Sequence, residues 1–141
     1  MRPIYESKSD KNAEAEVIDE LRRCAEGGQF IKLPDLAVID YIALDSSKKP
    51  CALLEVKVRK NAAAKYPTYM ISERKIKDAL SVSKLTNIPF ILVVSWLGDI
   101  RWVKVKALYP TAIGGRYDRG DSQDIERVCL IPISDFIKVS E

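Results

Sequence analysis

The sequence predicts one α/β domain, and two observations carry that reading. Amphipathic helical stretches alternate with short runs rich in β-branched residues, and one run, Phe90-Ile-Leu-Val-Val-Ser-Trp96, is apolar on both faces. Such a strand belongs in the middle of a sheet flanked by helices, whereas a strand with one wet face alternates. With 141 residues, 47% of them hydrophobic and 30% charged, the chain suits a single domain over 1–141 built on one core.

Each element has its own signal. Residues 1–11 lack a periodic apolar pattern and read as a loose N-terminus. From Asn12 to Glu26, Ala13, Val17, Ile18, Leu21, Cys24 and Ala25 recur at helical spacing, with Asn12 as N-cap and Gly27-Gly28 as the stop. At about 100° per residue the apolar stripe centres near Glu14, while Glu16 and Glu20 fall off it. A carboxylate on an apolar face needs a partner, because burying it alone is costly. Gln29–Leu33, Leu36–Leu44 and Cys51–Val58 read as strands, the last two joined by the turn Asp45-Ser-Ser-Lys-Lys-Pro50. Residues 59–71 form a basic connection containing aromatics. Ser72 then caps a helix running to Thr86, with Ile76, Ala79, Leu80 and Leu85 as its inner stripe. The central strand follows, and Gly98-Asp99 turns the chain into Ile100–Val105. Residues 109–124 make a long Gly- and Asp-rich loop, and Arg127–Ile133 is the last strand.

Composition narrows the chemistry. The chain has no histidine, which removes Ser-His and Cys-His triads, imidazole proton shuttles and His-containing zinc sites. Cys24, Cys51 and Cys129 are scattered and odd in number, unlike a zinc knuckle or a secreted disulfide framework. Any reaction must therefore rest on carboxylates, lysines, hydroxyls or an oxygen-bound metal. The polar N-terminal stretch has no signal-peptide core. The longest apolar run, Ile88 to Leu97, is about half the roughly 20 residues of a membrane span, so the expectation is a cytoplasmic protein without membrane contact.

The net charge of +3 is unevenly placed. Residues 1–46 carry −4, and residues 57–84 carry +6, from Lys57, Arg59, Lys60, Lys65, Arg74, Lys75, Lys77 and Lys84 against Glu73 and Asp78. A local excess of this kind suits a polyanion, although a solvated helix face with a lysine-rich loop would look the same.

The hairpin supplies the candidate site. If Asp45 and Pro50 face each other, Asp40 lies opposite Glu55 and points to the same face, which Lys57 shares two residues on. Two carboxylates and a lysine then converge inside apolar strands. Nearby carboxylates repel unless a cation sits between them, and oxygen-only ligation favours Mg²⁺ or Mn²⁺. A buried acid–lysine ion pair is the alternative. Other patterns are cheap: Ser72-Glu-Arg-Lys75 matches the S-x-x-K of serine acyltransferases, but so does Ser81-Val-Ser-Lys84, and no K-T-G partner exists. Gly114-Gly115-Arg116 lacks P-loop spacing, and Arg116, Asp118 and Arg119 read as a charged surface turn.

Asp40, a gap of fourteen residues and Glu55-Val56-Lys57, in the order helix, three antiparallel strands, helix, strand, resemble the PD-(D/E)XK nuclease superfamily. The stretch Tyr66-Pro-Thr-Tyr-Met-Ile-Ser72 with Lys75 and the strand Pro89–Val94 is similar to its small phage-type nucleases. The resemblance spans residues 14–106. It implies a restriction-endonuclease-like α-β-β-β-α-β core, a mixed central sheet flanked by helices, with extra C-terminal strands. It also implies Mg²⁺ or Mn²⁺ held by Asp40, Glu55 and the Val56 carbonyl, completed by Glu14. Lys57 would orient or deprotonate the attacking water, and Lys75 would touch the site and the phosphate. Arg59, Lys60, Lys65, Tyr69, Ser72, Arg74 and Lys77 would contact nucleic acid. Tyr69 and Ser72 also suit core packing and helix capping. A literal Pro34-Asp35 competes for the first carboxylate, but strand parity turns Asp35 to the other face, which favours Asp40.

The resulting expectation is a metal-dependent nuclease acting on DNA, with RNA not distinguished. The competing reading is a non-catalytic nucleic-acid-binding or assembly subunit that retains the fold. A homodimeric, structure-selective resolvase is a third.

Overall fold

A computed structural model describes residues 8–25, 27–34, 37–115 and 125–139. Helix α1 (Lys8–Cys24) leads into strands β1 (Gln29–Lys32), β2 (Tyr41–Leu44) and β3 (Pro50–Arg59). A short 3₁₀ turn (Ala63–Lys65), β4 (Thr68–Ser72) and α2 (Glu73–Thr86) carry the chain across to β5 (Phe90–Trp96) and β6 (Asp99–Lys104). Strands β7 (Thr111–Gly115) and β8 (Ile125–Pro132), a second 3₁₀ turn and β9 (Ile137–Lys138) follow.

Six strands form one sheet in the order β1-β2-β3-β5-β6-β9. Only β3 and β5 pair in parallel, with Glu55 beside Leu92 and Lys57 beside Val94. A parallel pair needs a long crossover, and β4 with α2 supplies it. The expected α/β fold with its mixed central sheet is therefore present. Its two faces are filled differently. Val17 and Ile18 of α1 pack on Ala52, Leu54, Val56 and Val93. On the other face Leu53, Leu92, Val94 and Trp96 meet Ile76 and Ala79 of α2 and Tyr69, Ile71, Cys129 and Ile131 of a separate three-stranded sheet, β4-β8-β7.

Several expectations are corrected. Helix α1 begins at Lys8, four residues before Asn12. Of the run Leu36–Leu44, the described residues 37–40 precede the strand, which starts at Tyr41, and the Pro34 carbonyl accepts from the Ala37 N–H in a turn. The 59–71 connection contains β4, and the 109–124 loop contains β7. Neither strand shows in the local pattern, because both are stabilised by pairing with the distant β8. Residues 116–124, with Arg116, Asp118 and Arg119, lie outside the described residues, as does Asp35. The β5–β6 turn is Leu97-Gly98, both at positive φ, with Asp99 already in the strand. Leu85 is 87% exposed, since nine residues at about 100° each place it opposite Ile76 on α2. Val82 packs inward in its place. Among the described residues no helix is long and apolar enough to cross a membrane.

Leu92 is fully buried between the layers, whereas Leu85 touches solvent. Chemical denaturation should therefore show Leu92→Ala destabilised by about 2–5 kcal/mol, with Leu85→Ala within about 0.5 kcal/mol of wild type.

Candidate active site

Register decides which side chains meet. The Asp45 carboxylate closes the β2–β3 turn by accepting from the Ser47 and Lys49 N–H groups, and Lys48 adopts a left-handed conformation. The pairing of Leu44 with Pro50 slips to Ala43 with Ala52, which leaves Cys51 as a bulge. From there inward Ala43, Ile42 and Tyr41 face Ala52, Leu53 and Leu54. That register, continued one step, sets Asp40 against Glu55. The chain leaves the ladder at that point, with the Asp40 N–H donating to the Leu54 carbonyl. Its carboxylate turns onto β3 and accepts from the Val56 N–H at 3.1 Å, a donor that β2 no longer reaches.

Glu55 projects from the middle of β3 and is 2% exposed. Lys75 Nζ lies 2.9 Å from its Oε2, and Lys57 Nζ lies 3.7 Å from its Oε1. The Lys75 contact is an ion pair rather than an aligned hydrogen bond, because Oε2 has no hydrogen-bond partner. Burial is the main cause that pushes the Glu55 carboxyl up from the usual carboxylate range to about 7. Lys57 opposes the shift, while the charge of Asp40 and a hydrogen bond with it add to it, and Lys75 again opposes. Asp40 and Glu55 thus compete for negative charge.

Helix α2 places Lys75. The Ser72 hydroxyl accepts from the Lys75 N–H at 3.2 Å, a side-chain N-cap that fixes the first helical turn at the end of β4. Glu73 in that turn pairs with Lys77 at 3.3 Å and with Arg127 of β8 at 3.4 Å. The cap thus holds the lysine against Glu55 from the adjacent layer.

The remaining candidates are spread around this centre. Glu14 is buried and rides on α1, which packs on the β3 face carrying Leu54 and Val56. Among the described residues no three His, Cys, Asp or Glu side chains are grouped closely enough to hold a metal ion together. Arg59 continues the Glu55–Lys57 face of β3, and its guanidinium donates to the Tyr69 hydroxyl at 2.7 Å. Tyr69 is buried against Trp96 and Phe136 in edge-to-face contacts and supports Arg59 from below. Burial, first of all, pushes its hydroxyl up to about 12. Ser72 is spent on the helix cap. Lys60, Lys65, Arg74 and Lys77 are exposed.

Sequence reasoning missed the aromatic support of Arg59. Its only trace was the alternation of Arg59 with Lys57 and Glu55, together with Tyr69 ahead of the capping Ser72. The partner residues Trp96 and Phe136 come from β5 and the C-terminal segment, which local pattern cannot connect.

Comparison with known proteins bears on the fold and the family. A solved Holliday junction resolvase, Hjc from the archaeal hyperthermophile Archaeoglobus fulgidus, superposes with a TM-score of 0.60 over 89% of this chain and 96% of that one. At 15% identity the likeness is one of fold, the restriction-endonuclease-like fold. No curated protein matches in sequence. Residues 1–139 match the family described as "phage putative PDDEXK endonuclease". Nearly the whole chain is covered, and the protein belongs to that phage PDDEXK endonuclease family.

Proposed function

We propose that the protein is a divalent-metal-dependent nuclease that hydrolyses phosphodiester bonds of DNA at the Asp40–Glu55–Lys57 centre. The observation that carries this reading is a buried carboxylate that feels the charge of a second one and is flanked by two lysines. A structural ion pair needs one lysine and gains nothing from a second carboxylate. The donor set suits a hard cation, because Mg²⁺ keeps several waters and needs only one or two protein carboxylates.

Asp40, Glu55 and the Val56 carbonyl are the groups that would hold the ion, which when bound supplies charge neutralisation at the phosphate and a more acidic attacking water. The chain's own residues do the rest. The Val56 N–H fixes the Asp40 carboxylate, and Lys75 orients Glu55 from the capped end of α2. Lys57 is 40% exposed and reaches solvent beside Glu55, where its ammonium can orient the attacking water and take up a share of developing negative charge. Glu14 is the third carboxylate this reading would recruit, from α1. Arg59, Lys60, Lys65, Arg74 and Lys77 provide the positive surface that a phosphate backbone requires.

Cleavage of single-stranded, duplex, flapped and branched DNA is the direct test. With Mg²⁺ or Mn²⁺, wild type should cut at least one of these, and Glu55→Ala should abolish cutting. Lys57→Ala should lower the rate by about 10²–10³. Glu14→Gln decides whether α1 contributes. Salt-sensitive binding without cleavage in any metal would instead leave a non-catalytic nucleic-acid binder that retains the fold.

The raised Glu55 carboxyl has a consequence for the metal-free protein. The native state holds this proton more tightly than the unfolded chain, so the associated stability is complete below about pH 4.5 and fades as pH rises through about 7. Thermal unfolding in chelator should show wild type losing up to about 3 kcal/mol between pH 5 and 8 relative to Glu55→Gln, which cannot titrate. Parallel pH profiles for the two proteins would contradict it.

A further inference from the structure

Beyond the lysine end of β3 the same strand face opens into a second cavity of about 450 Å³, within the range of small-molecule sites. Arg59, Asn61, Tyr66, Tyr69, Met70 and Trp96 line it. Tyr69 and Trp96 are buried and make a rigid aromatic floor, whereas Tyr66 is 56% exposed and Met70 also reaches solvent. Arg59 stands at the wall it shares with the catalytic face. Its guanidinium uses one N–H on the Tyr69 hydroxyl and another on the Val58 carbonyl, which leaves donors for a further acceptor. Lys65 lies 5.5 Å over the Tyr66 ring and adds a second positive charge at the rim. From Glu55 to Arg59 the strand rises about 13 Å, so the cavity is within a few nucleotides of the candidate site.

We propose that this cavity holds one unpaired nucleotide of the substrate, with the base stacked on Tyr66 and the phosphate on the Arg59 guanidinium. The inference rests on the nuclease reading and deepens it to a preference for DNA with a single-stranded segment. A paired base is covered above and below by its neighbours and cannot enter a cavity floored by side chains, but a splayed-out base can. Aromatic rings take any base, because every base has a stacking face, and the guanidinium matches the negative charge that follows it. Buried Tyr69 acts as a positioning residue by holding Arg59 between the cavity and Lys57.

Binding of labelled DNA to the full chain in chelator tests the proposal without requiring cleavage. Wild type should favour a duplex with a short single-stranded extension over the blunt duplex by about tenfold. Tyr66→Ala should erase that preference and leave blunt-duplex affinity unchanged, and Tyr66→Phe should keep it. Equal affinity of wild type for both DNAs, a retained preference in Tyr66→Ala, or an equal loss on both DNAs in that variant would each overturn it. Lack of cleavage in every metal would sink the nuclease reading while leaving this comparison readable. Intact cleavage without the preference would sink this inference alone.

Discussion

The constraint on which the site depends is a charge buried in the middle of the central sheet. β3 is apolar at Leu53, Leu54 and Val56, and on that strand a valine in place of Glu55 would be the stable choice. A carboxylate there is tolerated only because charged partners reach it from neighbouring elements. Lys57 comes from the same strand and Lys75 from the capped end of α2, while the Asp40 carboxylate just before β2 adds a like charge. Three elements are thereby committed to one side chain. A buried ion pair contributes little net stability, since desolvation offsets the attraction. A carboxylate at this place on a core strand is therefore a poor packing choice and a candidate for chemistry, in keeping with the family to which the chain belongs.

The second sheet is the device that makes this arrangement rigid. β4 brings Tyr69 and Ile71 under the central sheet and delivers Ser72 to the start of α2. Because Ser72 both ends β4 and caps α2, the pairing of β4 with β8 fixes where the helix begins. Glu73 strengthens that join through Arg127 of β8. Lys75 is then three residues from a fixed point, which leaves its long side chain few ways to reach Glu55. Specificity of position is obtained from backbone pairing, and the flexible lysine adds only the last few ångströms.

Much of this was legible in the sequence, for reasons that differ by element. Phe90–Trp96 was readable because a run apolar on both faces has few structural alternatives. The Asp40–Glu55 juxtaposition was readable because a hairpin's register follows from its turn, and the ladder kept the expected pairing from Ala43 inward despite the bulge at Cys51. The Ser72 cap was readable from residue type alone. β4 and β7 were not, because each is a short strand whose partner lies tens of residues away in β8. Leu85 was misassigned through hydrophobicity without strict attention to angle. Glu14 was correctly read as a buried carboxylate, but burial does not say which face of the sheet a helix covers.

The face that α1 covers limits how Glu14 reaches the candidate site. α1 packs on the even-numbered face of β3, through Leu54 and Val56, whereas Glu55, Lys57 and Arg59 occupy the odd-numbered face. A side chain from α1 would join the centre around the edge where β2 departs from β3, beside Asp40. The same departure frees the Val56 N–H for the Asp40 carboxylate. One geometric event, the end of the β2 ladder at Tyr41, thus exposes an edge and orients the Asp40 carboxylate. Extending β2 by two residues, to Ile39, would pair that amide with backbone and close the edge, which ties the candidate site to a strand that stops early.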